Sequence, residues 1–360
     1  MVIRLLVVGL AVAAGLAPVS PTLVERWFST GVYPAIQRQL TPISNSLSFA
    51  VLDLVAVVGV LAVVGAVVRV VFVARRAGRV WPVVRFLGHL VFVAAVGYLA
   101  FLALWGFNYR RVPMESRLIV EQGPPSSQAV TDLGTEAAVQ LNALYEEAHQ
   151  LGWPEDPAND QSLRAAFVSV QRTLSDALPA EPGRLKRSLF GPYFRWTSID
   201  GMINPFGLEV LANPDLLPFE RPFVAAHEWS HLAGYADEAE ASFVGWLTCM
   251  GAGAPARYSA WLFLHAQVAN EIDAAGGSQL AGVLGAGPRA DIQAIAERVQ
   301  RGQRPWLRDA GWQVYDQYLK ANRVDEGVRS YGAVVTLLLR TRFEPDWMPV
   351  RRAADEAPGG

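Results

Sequence analysis

The chain has 360 residues, with 31 Lys and Arg against 33 Asp and Glu, and a single cysteine, Cys249. A net charge of −2 gives no general attraction to nucleic acid. One cysteine excludes an intramolecular disulfide, and the length accommodates a membrane segment followed by one domain of about 250 residues.

Residues 1–107 read as the membrane segment, with three transmembrane helices. Val2 to Val19 is apolar apart from Arg4 and gives a first span, and Leu47 to Val73, broken only by Asp53 and Arg69, gives a second. Val83 to Phe107 gives a third, ending among Trp105, Phe107 and Tyr109 as an aromatic belt. His89 sits in this span with no evident partner. A loop carrying Trp27, Tyr33 and several prolines joins the first two spans. The connection between the second and third carries Arg75, Arg76, Arg79 and Arg85, which outnumber Arg110 and Arg111 beyond the third. Positive charge stays in the cytoplasm, so the expected topology is a multi-pass cell-membrane protein whose residues 108–360 are extracytoplasmic.

Residues 108–350 read as one mainly α domain. Apolar periodicity predicts helices over Asp132 to Leu151, Gln161 to Leu178, Arg257 to Ala274, Asp291 to Arg301, Arg308 to Asn322 and Gly327 to Arg342. Between Trp196 and Asp215 weak alternation and turn residues predict one or two short strands. An exposed strand edge there holds an extended peptide by backbone hydrogen bonds, which places the expected cradle along Leu208 to Ala212. His149 reads as a surface residue, His265 as a core histidine and Cys249 as a small core residue. Residues 351–360 read as a loose tail.

The chemistry concentrates between Phe223 and Met250. His227, Glu228 and His231 have the spacing H-E-x-x-H, which on a helix puts two imidazoles one turn apart on one face with a carboxylate beside the first. Two neutral imidazoles fill part of a zinc tetrahedron, and Glu228 is placed to act as general base on a bound water. Pro222 fits the first turn of that helix and Gly234 its C-terminal cap.

Catalytic zinc takes a third protein ligand, and Glu238, Asp237 and Glu240 are the candidates, in that order. Asp237 stands six residues after His231, where some H-E-x-x-H enzymes carry a third histidine, and Gly234 matches their glycine. Asp237 with Glu240 also reads as a capping box opening a helix from Glu238 to Met250. That reading leaves Glu238 on a face shared with Ala241, Ser242 and Gly245, small residues that allow the second helix to approach the first.

The stretches WFSTGVYP, WGFNYRRVP, INPFGLEVLAN, HEWSHLAGYADEAEA and YLKANRVDEGVRSYGAVV together resemble the bacterial domain-of-unknown-function 3810 family of membrane proteins. That family is classed by resemblance as zincin-like metallopeptidases. The resemblance covers nearly the whole chain and implies a zincin-like α+β fold and a Zn2+-dependent peptidase, without naming a substrate. DEAEAS is similar to the E-x-x-A-N or E-x-x-A-D helix of gluzincin peptidases, which assigns the zinc-binding role to Glu238 and puts Ser242 where those enzymes carry Asn or Asp.

These readings make the expected protein a membrane-anchored zinc metallopeptidase with His227, His231 and Glu238 as ligands and Glu228 as base. Tyr331 and Arg329, before the last apolar helix, are the expected oxyanion donors, and packing at a helix end explains them equally well. The expected partners are a peptide or protein substrate and the lipid bilayer, with the oligomeric state open. The alternative is a catalytically silent, zinc-stabilised envelope scaffold, which needs the histidines and not Glu228. Intramembrane cleavage is a third, disfavoured reading, because the motif lies about 120 residues past the last span among charges that a bilayer core rejects.

Overall fold

The computed structural model describes residues 2–77, 80–274, 282–322 and 333–352. Four helices come first: α1 (Val2–Leu16), α2 (Pro21–Ser46), α3 (Val51–Ala77) and α4 (Trp81–Leu104). Among the described residues, α3 and α4 are each long and apolar enough to cross a membrane, and α1 with α2 makes a third candidate as a pair bent by 113°. The expected first span therefore shrinks. Fifteen helical residues reach about 22 Å, short of the roughly 30 Å hydrocarbon layer. α1 runs alongside α4 in the same direction, with Arg4 Nη2 3.0 Å from His89 Nε2 and Gly15 against the Tyr98 ring. His89 thus has a partner that the sequence did not show.

The segment expected as a loop between the first spans is α2. Pro21 opens it, where a helix's first turn tolerates proline, and Glu25 to Val32 widens into a π-helical stretch just before Pro34. α2 folds because its polar stripe is buried against the domain. Tyr33 donates to the Leu232 carbonyl at 2.7 Å, Gln37 to the Glu181 carbonyl at 2.8 Å and Thr41 to the Leu208 carbonyl at 2.7 Å. The two arginines after α4 are committed in the same way. Arg110 donates to the carbonyls of Ala14 and Gly15, closing the C-terminus of α1, while Arg111 pairs with Glu25 at 2.8 Å and donates to Gly234 O.

The domain follows with α5 (Ser127–Leu151), α6 (Gln161–Leu174), β1 (Leu185–Lys186), α7 (Gly191–Thr197), β2 (Gly201–Asn204) and β3 (Glu209–Ala212). It continues through α8 (Arg221–Leu232), α9 (Glu238–Met250), α10 (Ala254–Ala274), α11 (Ala286–Gly302), α12 (Pro305–Ala321) and α13 (Ala333–Arg340). Ser126 and Asp160 cap α5 and α6 through their side-chain oxygens. Trp229, Trp246 and Trp261 are fully buried at the centre, and Cys249 is buried as a core residue. Of the expected helix from Gly327 to Arg342, only its α13 part falls among the described residues. Bridges Leu118↔Arg351 and Val120↔Thr341 tie the start of the domain to its end, so Arg351 belongs to the fold and not to a loose tail. His149 is also no plain surface residue. Its Nε2 lies 2.8 Å from Asp291 Oδ2, which Tyr258 also bonds.

The expected strands form a three-stranded sheet of order β1-β3-β2, with β3 parallel to β1 and antiparallel to β2. Leu208 to Ala212 is therefore the centre of the sheet and cannot be a free edge. The edge toward α8 is β2. The sheet is also bolted to the N-terminal helices: the Glu209 carboxylate accepts from Val51 N at 3.0 Å and Leu52 N at 2.9 Å, capping α3, and from Lys186 Nζ, Asn204 Nδ2 and Ser44 Oγ. Burial opposes its charge, yet the bonds from Val51, Asn204, Leu52 and Lys186 hold its carboxyl below the usual carboxylate range. Asp53 of α3 accepts from Ser188 Oγ and Leu189 N.

Candidate metal centre

α8 carries the H-E-x-x-H stretch, with Pro222 in its first turn and Gly234 at φ +86° just past its end, as expected. The chain turns at Gly234, and Asp237 starts α9 by accepting from Ala239 N and Glu240 N. Glu240 points away from the histidines and accepts from Met114 N. Glu238, in the first turn of α9, faces α8. The two helices cross closely because Gly245 has no side chain, since a Cβ there would lie 2.9 Å from His227 N. Gly245→Ala is expected to destabilise the fold by about 1–3 kcal/mol and to lower metal content by moving His227. Denaturation together with metal analysis checks this.

His227 Nε2, His231 Nε2 and Glu238 Oε2 stand at the corners of a nearly equilateral triangle, with sides of 3.2, 3.3 and 3.4 Å. Ligands about 2.0–2.1 Å from a tetrahedral centre lie about 3.3 Å apart, so the triangle has the size of one face of a zinc tetrahedron. Each corner is oriented from behind. His231 Nδ1 lies 2.7 Å from Tyr235 O, which only accepts, so Nδ1 keeps its proton and Nε2 is the nitrogen that gives up its proton to offer a lone pair. Ser242 Oγ lies 3.2 Å from His227 Nδ1, in the supporting position expected of an Asn or Asp there. Tyr315 OH donates to Glu238 Oε1 at 2.5 Å, leaving Oε2 as a buried oxygen with no hydrogen-bond partner among the described residues. The donor set and its orphaned oxygen fit Zn2+, with His227, His231 and Glu238 as the residues that would hold it.

The electrostatics agree. Burial alone would disfavour charge on all of these groups, and it holds His227 below its ordinary value. Against that burial, the Glu238 carboxylate raises His231 to about 9, while the two imidazoles hold Glu238 below the usual carboxylate range. Desolvation, with Glu238 and Asp200 nearby, pushes Glu228 up to about 8. A cation must therefore displace the His231 proton. Its affinity is expected to fall about tenfold for each pH unit below about 9, as measured by titrations at several pH values.

Glu228 stands beside the triangle, pressed against Gly201 of β2, where a Cβ would meet its Oε1 at 2.7 Å. Its other oxygen, Oε2, is buried without a hydrogen-bond partner among the described residues. The triangle lines a cavity of about 450 Å³. Tyr331 and Arg329 lie outside the described residues. The sequence did not single out Tyr315, whose only signal is the aromatic spacing of Trp312, Tyr315 and Tyr318 on one face of α12. His265 is buried in α10, apart from the triangle.

A family model described as "Protein of unknown function (DUF3810)" matches residues 28–339. The chain belongs to that family. No curated protein and no solved structure matches it significantly. In this DUF3810 member the matched region begins in α2 and takes in both long apolar helices as well as the triangle, in keeping with the way those parts interlock. Trp105, at the end of α4, donates from Nε1 to His231 O at 2.9 Å, and Tyr33 of α2 holds the next carbonyl of α8. The C-terminus of α8 is thus braced by the N-terminal helices.

Proposed function

We propose that this protein is a membrane-anchored zinc metallopeptidase with a zincin-like catalytic domain. The observation that carries this reading is the triangle of His227, His231 and Glu238 with Glu228 beside it, all four lining one cavity. His227, His231 and Glu238 would hold a zinc ion, which when bound would supply Lewis acidity and lower the pKa of water at the site to about 7. Glu228 accepts the proton of the attacking water and returns it to the leaving amine. Tyr315 and Ser242 keep Glu238 and His227 in register. β2, the sheet edge next to Glu228, pairs with the extended substrate, a role the sequence assigned to Leu208 to Ala212.

A zinc-stabilised scaffold needs no buried, unpaired carboxylate oxygen at the site, and Glu228 provides one. The arginines at 75, 76, 79 and 85 support a topology with the α3–α4 connection in the cytoplasm and the domain outside it. The test is digestion of a randomised peptide library, offered both in solution and on vesicles, by the zinc-loaded full chain. Peptide products that disappear with a chelator are expected, and a fully metallated protein that yields none would establish the scaffold.

A further inference from the structure

The cavity in front of the triangle is mostly apolar, and part of its wall belongs to the membrane helices. Phe101, in the last turn of α4, and Trp105 just after it line one side, and Met202 of β2, Phe206 of the β2–β3 turn, Tyr193 of α7 and Tyr318 of α12 line the others. α3 and α4 are antiparallel neighbours of similar length joined by a short connection, so Val51 and Leu104 lie at the same end. The cavity wall reaches that end too. Gly207, next to Phe206, packs on Val51, and Asp53 holds Ser188 and Leu189 beside the first turn of α3.

Around this level the domain exposes Leu189 at 68 %, Phe206 at 40 % and Trp196 at 40 %, and the outward-facing apolar surface of α3 starts at Leu54. Exposed aromatic and aliphatic side chains at the head of an apolar helix are what a membrane–water boundary requires. The triangle is close to that boundary. The Phe101 ring lies 6.2 Å from the Trp105 ring, and that ring lies 6.4 Å from His231. The 120 residues that separate the motif from α4 in sequence therefore say nothing about distance from the bilayer.

Building on the peptidase reading, we infer that the substrate is a polypeptide anchored in the same bilayer, cut within the first few residues outside its membrane segment. Its apolar juxtamembrane side chains occupy the cavity between Phe101, Phe206 and Tyr193, and its backbone lies along β2. An extended chain at about 3.3 Å per residue covers the path from the last turn of α4 to the triangle in about four residues. A polypeptide is favoured over a lipid because a strand edge stands beside the general base and supplies backbone donors and acceptors in a row.

The experiment uses the zinc-loaded full chain in lipid vesicles with a single-span substrate followed by ten randomised positions, and the same ten positions as a soluble peptide. Cleavage is expected to concentrate within about five residues of the span and to run at least tenfold faster than on the soluble peptide. As a second readout, Glu228→Gln should crosslink a photoreactive residue placed three positions outside the span to Tyr193 or Phe206. Equal cleavage of tethered and soluble peptides, or cuts spread over all ten positions, would overturn the inference and leave the peptidase reading standing. Failure to cut any peptide would overturn both, and fatty-acid release from the vesicles without peptide products would replace the polypeptide by a lipid.

Discussion

Glu228→Gln is expected to keep its metal and its fold while peptide cleavage falls by about 10²- to 10⁴-fold, or about 3–5 kcal/mol of transition-state stabilisation. The retention of fold follows from the side chain's surroundings. Glu228 is fully enclosed, and burial holds its carboxyl protonated up to about pH 8, so an uncharged amide of the same shape replaces a group that is already neutral in the metal-free protein. Metal retention follows because the ligand triangle is completed by Glu238. Turnover is lost because an amide cannot take a proton from water. Kinetics on a defined peptide, with metal content measured on the same preparation, checks both parts. Cleavage at the wild-type rate would remove Glu228 from the mechanism, and loss of metal would make it a ligand.

Glu209→Ala is expected to be the most destabilising single substitution discussed, costing about 3–5 kcal/mol, because it breaks a buried ion pair from one side. Lys186 is 7 % exposed and would lose its carboxylate partner, while Val51 N and Leu52 N at the head of α3 would lose their acceptor. The double variant with Lys186→Met should recover part of the loss, since no charge is then stranded. The pH dependence has a definite sign. The folded-state carboxyl sits below its unfolded value, so its contribution is present above the ordinary carboxylate range and is lost as pH falls through the depressed folded value. Denaturant unfolding in detergent at neutral and acidic pH measures this. The gap between wild type and Glu209→Ala should narrow in acid.

The ligand helices were legible in the sequence because their signals are local. The i,i+4 histidines, Asp237 before an acidic first turn, Gly234 at a positive φ and Gly245 at a helix crossing each act over a few residues. α2 was not legible. Its buried stripe is polar, with Gln37, Thr41 and Ser44 bonding to the domain, and its prolines imitate a loop, so burial was invisible to apolar periodicity. The sheet edge was misplaced for a similar reason. Alternation finds strands but not their order, and the pairing of β3 with β1 rests on a two-residue strand. Tyr315 lies 77 residues from the carboxylate it orients, and only folding brings them together. Arg110 and Arg111, counted as free charge near a span end, are bound to backbone carbonyls and to Glu25.

The most direct test is the zinc content of the full chain purified without chelator, alongside Glu238→Ala and Asp237→Ala. One zinc per chain in the wild type and in Asp237→Ala, with none retained in Glu238→Ala, is the predicted result. A wild-type chain that neither carries nor takes up zinc, or a Glu238→Ala chain that holds it as tightly as the wild type, would contradict the account at its base.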